Sequence, residues 1–341
     1  MNLKDLQIKE INPCEFTDKQ WDQYLSVSES IYKEINPRDP FWAKEQIKKF
    51  IIKPHKLWDH FRWVATENQN IIAYCWLSIL NKKSPEYEKF KHIGDFDIII
   101  PKELRRRGIG TKLLGEIIKK SKELGLKKLQ GESCLGSGRG FIDKNKWHVG
   151  SNHIVSRLYL EDLDWDMVRD WIKEGPVRGI GVTIETFEKM PENDIVEYSK
   201  IYTETENQAP DYDSGDITSM WGTSPEDRRA KEELYSEKNY KWITKMTRES
   251  NSKFSGITEI YFSPDNPWIV EQDLTGVKTE YRGRGLGKWL KADMLMYIKE
   301  NFPDVKFIET GNANSNAPML SINHRLGFKE HQIYWLFSFE I

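Results

Sequence analysis

Two short runs have the composition of an anion cradle. Arg105-Arg106-Arg107-Gly108-Ile109-Gly110 and Arg282-Gly283-Arg284-Gly285-Leu286-Gly287 both spell R-x-x-G-x-G. Glycines let the backbone approach a ligand closely, and arginine adds a forked cationic donor. Each run opens a segment with helical periodicity. The first N–H groups of a helix have no partner within it, and the helix dipole adds positive charge at that end. The chemistry that follows is the binding of a phosphate-like anion. Thr111 and Lys288, the next residues, extend each mouth.

The surrounding elements repeat as well. The leading arginines, at 105 and 282, lie 177 residues apart, about half the chain. A β-like run precedes each loop, Asp95 to Ile100 and Trp268 to Val277. A helix-like run follows, Thr111 to Leu124 and Lys288 to Asn301, with Leu113, Leu114, Ile117 and Ile118 in the first and Leu290, Met294, Leu295 and Ile298 in the second at helical spacing. A short β-like run closes each unit, Leu126 to Leu129 and Val305 to Ile308. Upstream, 16–53 and 191–238 read as helical and lead into paired β-like runs. A period this long means a duplicated domain. The turn-rich stretch Glu174 to Gly179 places the boundary, giving domains 1–175 and 176–341. The fold class is α/β (α+β mixed sheet), as two tandem domains, each a mixed central sheet with flanking helices.

Composition bounds the partners. The 341 residues carry 51 Lys+Arg against 53 Asp+Glu, a balance that argues against non-specific nucleic-acid binding. The longest apolar runs are too short to span a bilayer. MNLKDLQIKE has no apolar core of a signal peptide, and Cys14, Cys75 and Cys134 form no CxxC, so the expected compartment is the reducing cytoplasm. His55 with His60, and His148 with His153, lack ligand spacing, so no metal is expected. The 13 tryptophans are unexplained by composition; five of them, Trp221, Trp242, Trp268, Trp289 and Trp335, fall in the second half.

The loops fit neither of two common phosphate-binding patterns. A Walker A loop needs glycine where Arg105 and Arg282 stand, and a dinucleotide G-x-G-x-x-G needs glycine at Leu113 or Leu290. Both match the R-x-x-G-x-G pyrophosphate loop of acyl-CoA enzymes. Here the chain resembles the GNAT superfamily of acyl-CoA-dependent N-acyltransferases, in a tandem form built as mycothiol synthase is. The resemblance is better in the second half, where Glu271 to Val277, Arg282 to Gly287, Asn314 to Leu320 and Asn323-His324-Arg325-Leu326-Gly327-Phe328 resemble the family's fourth strand, loop, fifth-strand exit and fourth helix.

The resemblance implies fourth and fifth strands that splay apart around acetyl-CoA, the acyl donor. The pantetheine arm would bond to the backbone from Leu274 through Thr275 to Val277, with Asn314 and Asn316 near the thiol. The family's base position, six residues before the strand's last valine, falls on Glu271. Strand alternation puts Glu271, Asp273 and Thr275 on one face, where two acids raise each other's pKa. The family's tyrosine proton donor falls on Asn323, an amide that bonds a thiolate or carbonyl but does not protonate it; His324 and Tyr281 are nearby in sequence. In the first half the base position falls on Gly94, with Asp95 and Asp97 close by, and the tyrosine position on Ile142 of a helix read as Gly140 to Asn145. The first half is therefore expected to be degenerate and the second catalytic. The acceptor is expected to be a small-molecule amine, held by Asp211, Asp213, Trp221 and Asp273 through ion pairing and cation–π contact. Two alternatives stay open: a non-catalytic acyl-CoA sensor, and transfer to a peptide or protein amine. The expected assembly is a monomer or homodimer.

Overall fold

The computed structural model describes residues 5–53, 56–84, 86–207, 223–313 and 317–341. The chain forms two compact units, Met1–Gly150 with Trp335–Ile341, and Ser151–Tyr334.

The first unit runs β1 (Gln7–Glu10), α1 (Asp18–Ile35), α2 (Lys44–Ile52), β2 (Trp58–Glu67), β3 (Asn70–Leu80), α3 (Tyr87–Phe90), β4 (Ile93–Ile99), α4 (Ile109–Glu123), β5 (Lys128–Ser133) and α5 (Gly136–Asn145). Thr17 and Gln20 form a reciprocal capping box that starts α1. Asn68 and Gln69 both take positive φ, the conformation a two-residue hairpin between β2 and β3 requires. Strands β1 to β4 pair antiparallel, β4 pairs β5 in parallel, and the segment Trp335–Glu340 runs antiparallel to β5. Leu77, Phe96, Leu113, Ile117 and Leu129 make the core under α4. Trp147 stacks on Phe339 and Phe337, with ring centroids 4.3 and 5.4 Å away.

The second unit contains β6 (His148–Tyr159), α6 (Trp165–Arg178), β7 (Thr183–Phe187), α7 (Ile195–Glu206), α8 (Pro225–Glu237), β8 (Lys241–Arg248), β9 (Phe254–Phe262), β10 (Ile269–Val277), α9 (Leu286–Asn301), β11 (Phe307–Ala313), α10 (Ala317–Leu326) and the start of β12 (Lys329–Glu340). Its strand order is β7-β8-β9-β10-β11-β6; β10 and β11 are parallel and the other pairs antiparallel. Val168, Ile243, Ile260, Val270, Leu295 and Ile308 lie in its main core.

The mixed sheets follow the sequence reading. The boundary does not. Residues 151–175 belong to the second unit and 335–341 to the first, because β6 pairs with β11 and the end of the chain pairs with β5. Each half of the sequence thus supplies the last strand of the other unit, and Trp335 belongs to the first. The stretch expected as a linker, Glu174 to Gly179, is the end of α6, even though Pro176 lies inside it. There Gly175 has a packing role: a Cβ would stand 2.2 Å from the Trp289 ring on α9. Gly175→Ala is expected to destabilise by about 1–3 kcal/mol through overpacking, against about 1 kcal/mol gained in helix propensity. Thermal denaturation should show a lower Tm.

Candidate functional site

The parallel ladder between β10 and β11 covers only Ile269–Gln272 against Phe307–Thr310. Beyond it β10 continues to Val277 beside β9, and β11 to Ala313 beside β6. A bulge between Gln272 and Thr275 bends β10 at this point. A gap therefore opens from Asp273 onward. The first unit repeats it: β4 and β5 pair only over Ile93–Asp95 and Lys128–Gln130.

A glycine loop stands at the open end of each gap. Gly283 and Gly285 take φ of 80° and 77°, with Gly285 capping α9. Gly108, φ 80°, caps α4 in the same way. Both leading arginines donate Nε back to the end of the strand, Arg105 to Ile100 O at 3.0 Å and Arg282 to Val277 O at 3.3 Å. They differ beyond that. Arg105 also makes a forked pair with both oxygens of Glu34 on α1, so its guanidinium braces the fold rather than waiting for a ligand. Arg284 pairs with Glu249 at 2.8 Å. Arg106 and Arg107 are exposed, and Ile109 is buried beneath the turn, with Gly110 and Thr111 opening α4.

The second loop draws cations from elements distant in sequence. Arg178, ending α6, donates to Gly283 O at 3.3 Å. Lys288 and Arg325 lie over the Trp171 ring, 5.6 and 5.0 Å from its centroid. Burial, then the charges of Arg325 and Arg178, push the Lys288 pKa down. Such crowding of like charges suits an anionic ligand. No sequence spacing pointed to Arg178 or Arg325.

The acids gather near the closed end. Glu271 is half-buried; burial, then the charges of Glu309 and Asp273, push its pKa up to about 7. The Tyr240 hydroxyl approaches Glu271 Oε1 at 3.5 Å. Asp273 accepts from the Tyr261 hydroxyl at 3.0 Å, and its pKa is also raised, first by desolvation. Asp273 is itself exposed, and Tyr261, whose hydroxyl it accepts from, is half-buried. Glu206, at the end of α7, is pushed up to about 7 by burial and then by Asp273. Tyr235 stacks on Tyr261 at 4.6 Å. Strand alternation past Asp273 fails at the bulge: Thr275 bonds Thr258 at 2.8 Å and accepts from Gln272 at 3.2 Å, so it groups with Gln272 and not with Glu271.

Asn323 is buried on α10, and its Oδ1 accepts from Lys291 Nζ at 2.7 Å. Lys291, on α9, also donates to Gln272 Oε1 at 2.9 Å. Burial alone pushes its pKa down to about 7. Sequence reading passed over this lysine because it sits among apolar residues of a helical stripe. His324 is exposed, and Tyr281 packs at the loop end among Leu286, Trp289 and Val277. Leu274 and Val277 are half-buried on β10. Asp211, Asp213, Trp221, Asn314 and Asn316 lie outside the described residues.

In the first unit a Cβ on Gly94 would stand 2.8 Å from both Leu126 and Leu77, so no acid fits there. Asp95 accepts from Gln130 at 2.8 Å. Asp97, however, is half-buried, and burial pushes its pKa up to about 7. A carboxyl with a raised pKa thus stands in this gap too, two residues past the last residue of β4 paired to β5. Its closing helix, α5, begins at Gly136, four residues earlier than expected.

A model of the acetyltransferase (GNAT) family matches residues 20–133. It matches the first half, whereas the sequence motifs resembled the family better in the second. A tandem GNAT protein from the clavulanic acid biosynthesis pathway superposes with a TM-score of 0.78 over 98% of both chains, at 19% identity. The chain has a tandem GNAT fold. A GCN5-related N-acetyltransferase from Sphaerobacter thermophilus is similar at a TM-score of 0.63 and 15% identity, covering 99% of this chain and 96% of that one. No curated protein matches in sequence. The splayed strands and the glycine loop described above occur in both units. Among the described residues no helix is long and apolar enough to cross a membrane.

Proposed function

We propose that this tandem GNAT protein is an acetyl-CoA-dependent N-acetyltransferase that acts on a small cationic amine, with the second unit catalytic. The observation that carries the reading is Glu271: a carboxyl raised to about 7, at the closed end of a strand gap whose open end is a cationic glycine loop. Glu271 takes a proton from the substrate ammonium, directly or through water. The freed amine lone pair attacks the thioester carbonyl in a ternary complex. The tetrahedral intermediate then collapses with loss of CoA thiolate. Glu206 and Asp273 supply negative charge for the incoming ammonium, and Tyr240 and Tyr261 supply aromatic walls. Leu274 to Val277 would bond the pantetheine arm, and Arg282 to Lys288 the pyrophosphate.

The base must be ionised, so kcat/KM should rise with pH through about 7 and level off above it. The measurement is thiol release from acetyl-CoA with a panel of small mono- and diamines across pH 5.5–9. A flat profile below 7 excludes Glu271 as the base. The second reading is an acyl-CoA sensor without turnover, favoured by Asn323 standing where a proton donor is expected. Acetyl-CoA binding with no amine-dependent thiol release would support it.

A further inference from the structure

A polar cluster is buried where β10 and β11 part. Gln272 is the last residue of β10 paired to β11, and Lys291 Nζ reaches both its Oε1 and Asn323 Oδ1. Lys291 is 2% exposed and Asn323 1%. The Phe328 ring lies 5.3 Å from Nζ, and among the described residues no carboxylate bonds it. Lys291 Nζ donates to both Gln272 Oε1 and Asn323 Oδ1, so the Asn323 atom it meets is the oxygen. That fixes the amide with Nδ2 free, and Nδ2 has no acceptor among the described residues. A buried donor without a partner is costly unless a ligand meets it.

The duplicate unit shows that the fold does not need this cluster. Counting from the leading arginines, Lys291 corresponds to Leu114. Asn323 corresponds to Ile142, since the two residues close their helices with the same bond, Phe328 N–H to Asn323 O at 3.0 Å and Trp147 N–H to Ile142 O at 3.3 Å. Leu114 and Ile142 are both buried. One copy thus fills these places with an apolar pair, and the other with a lysine and an amide. The cluster also lies five residues of strand from Val277 at the loop end, about 16 Å at the usual rise.

We propose that Lys291 is a positioning residue for thiolate departure: it holds the Asn323 amide so that Nδ2 donates to the sulfur of acyl-CoA at the closed end of the gap. This rests on the acyl-CoA reading above. As the intermediate collapses, the C–S bond breaks and its electron pair moves to sulfur. The thiolate accepts the Nδ2 hydrogen bond, and its proton comes afterwards from solvent.

The test needs no acceptor. CoA is bound to the wild-type protein and to the double variant Lys291→Leu/Asn323→Ile, which installs the apolar pair of the first unit. The thiol is titrated through thiolate absorbance; any contribution from the first loop cancels in the difference. The expected result is a bound thiol about tenfold more ionised at a given pH in the wild type, one pKa unit lower, with CoA affinity little changed. Lys291→Met keeps the stem without the charge and should give the same direction if the double variant fails to fold. Equal thiol pKa values in wild type and variants overturn the proposal and leave the acyl-CoA reading standing. Failure of the wild type to bind CoA overturns both.

Discussion

Glu271→Gln should lower kcat/KM by about 10²–10⁴, the range general-base catalysis contributes, while acetyl-CoA binding is retained. The argument is local. Glutamine keeps the shape and can still meet the Tyr240 hydroxyl, so the strand and its bulge should survive. It cannot accept a proton, so an ammonium acceptor stays without a lone pair. Above about pH 10, where a large share of a typical amine is already neutral, the deficit should shrink; a lost structural contact would not be restored that way. Asp97→Asn is the internal control. Asp97 is raised to about 7 like Glu271 and stands on the equivalent strand of the first unit, but Arg105 at that unit's loop is bound to Glu34. The expected result is near wild-type turnover for Asp97→Asn. If instead Asp97→Asn abolishes turnover and Glu271→Gln does not, the catalytic half is the first.

What was legible in the sequence was what local spacing encodes. The strand, glycine turn and helix around each loop follow from period-2 and period-3.6 patterns and from glycine at a left-handed cap. The duplication follows from finding the same pattern twice. The strand exchange left no such trace, because the partners of β6 and of Trp335–Glu340 are chosen by contacts made across the chain. That is why the boundary was placed at a proline and two glycines, which turned out to end α6. The acids show a similar division. Glu271 and Asp273 were visible on their strand, but the bulge that regroups Thr275 with Gln272 was not. Arg178, Arg325, Glu206 and Lys291 come to the site from four helices, and each is unremarkable in its own sequence neighbourhood. Lys291 became informative only beside Leu114, once the structure aligned the two copies.

Arg228→Met should destabilise the second unit by about 3–5 kcal/mol, the cost of breaking a buried pair and stranding its partner. In sequence Arg228 is surrounded by opposite charges, Glu226, Asp227, Glu232 and Glu233, and marks no basic patch. In the fold it has no exposed surface. It bonds Glu232 and Glu259, each at 2.8 Å, and the Tyr198 hydroxyl at 2.8 Å, while its guanidinium lies 3.5 Å from the centre of the Trp242 ring. Glu259 is fully buried on β9, held by Arg228, Thr244 and Tyr198, and burial still pushes its pKa up. Removing the arginine leaves that carboxyl to protonate or to remain charged in the core. Methionine fills most of the stem's volume, so the loss should be chiefly electrostatic. The double variant Arg228→Met/Glu259→Leu tests this directly: removing both partners should recover most of the loss, since a buried ion pair can often be replaced by apolar groups at little cost. Urea unfolding of the two single variants and the double measures the coupling. Strict additivity would show that Arg228 stabilises through packing alone. The pair also bears on function. The helix that carries Arg228 carries Lys231, whose charge opposes the upward shift of Asp273. Anchoring α8 through Arg228 therefore fixes one wall of the cleft in which the substrate ammonium is proposed to lie. The Arg228→Met protein, assayed where it is still folded, should bind amine more weakly with acetyl-CoA affinity unchanged.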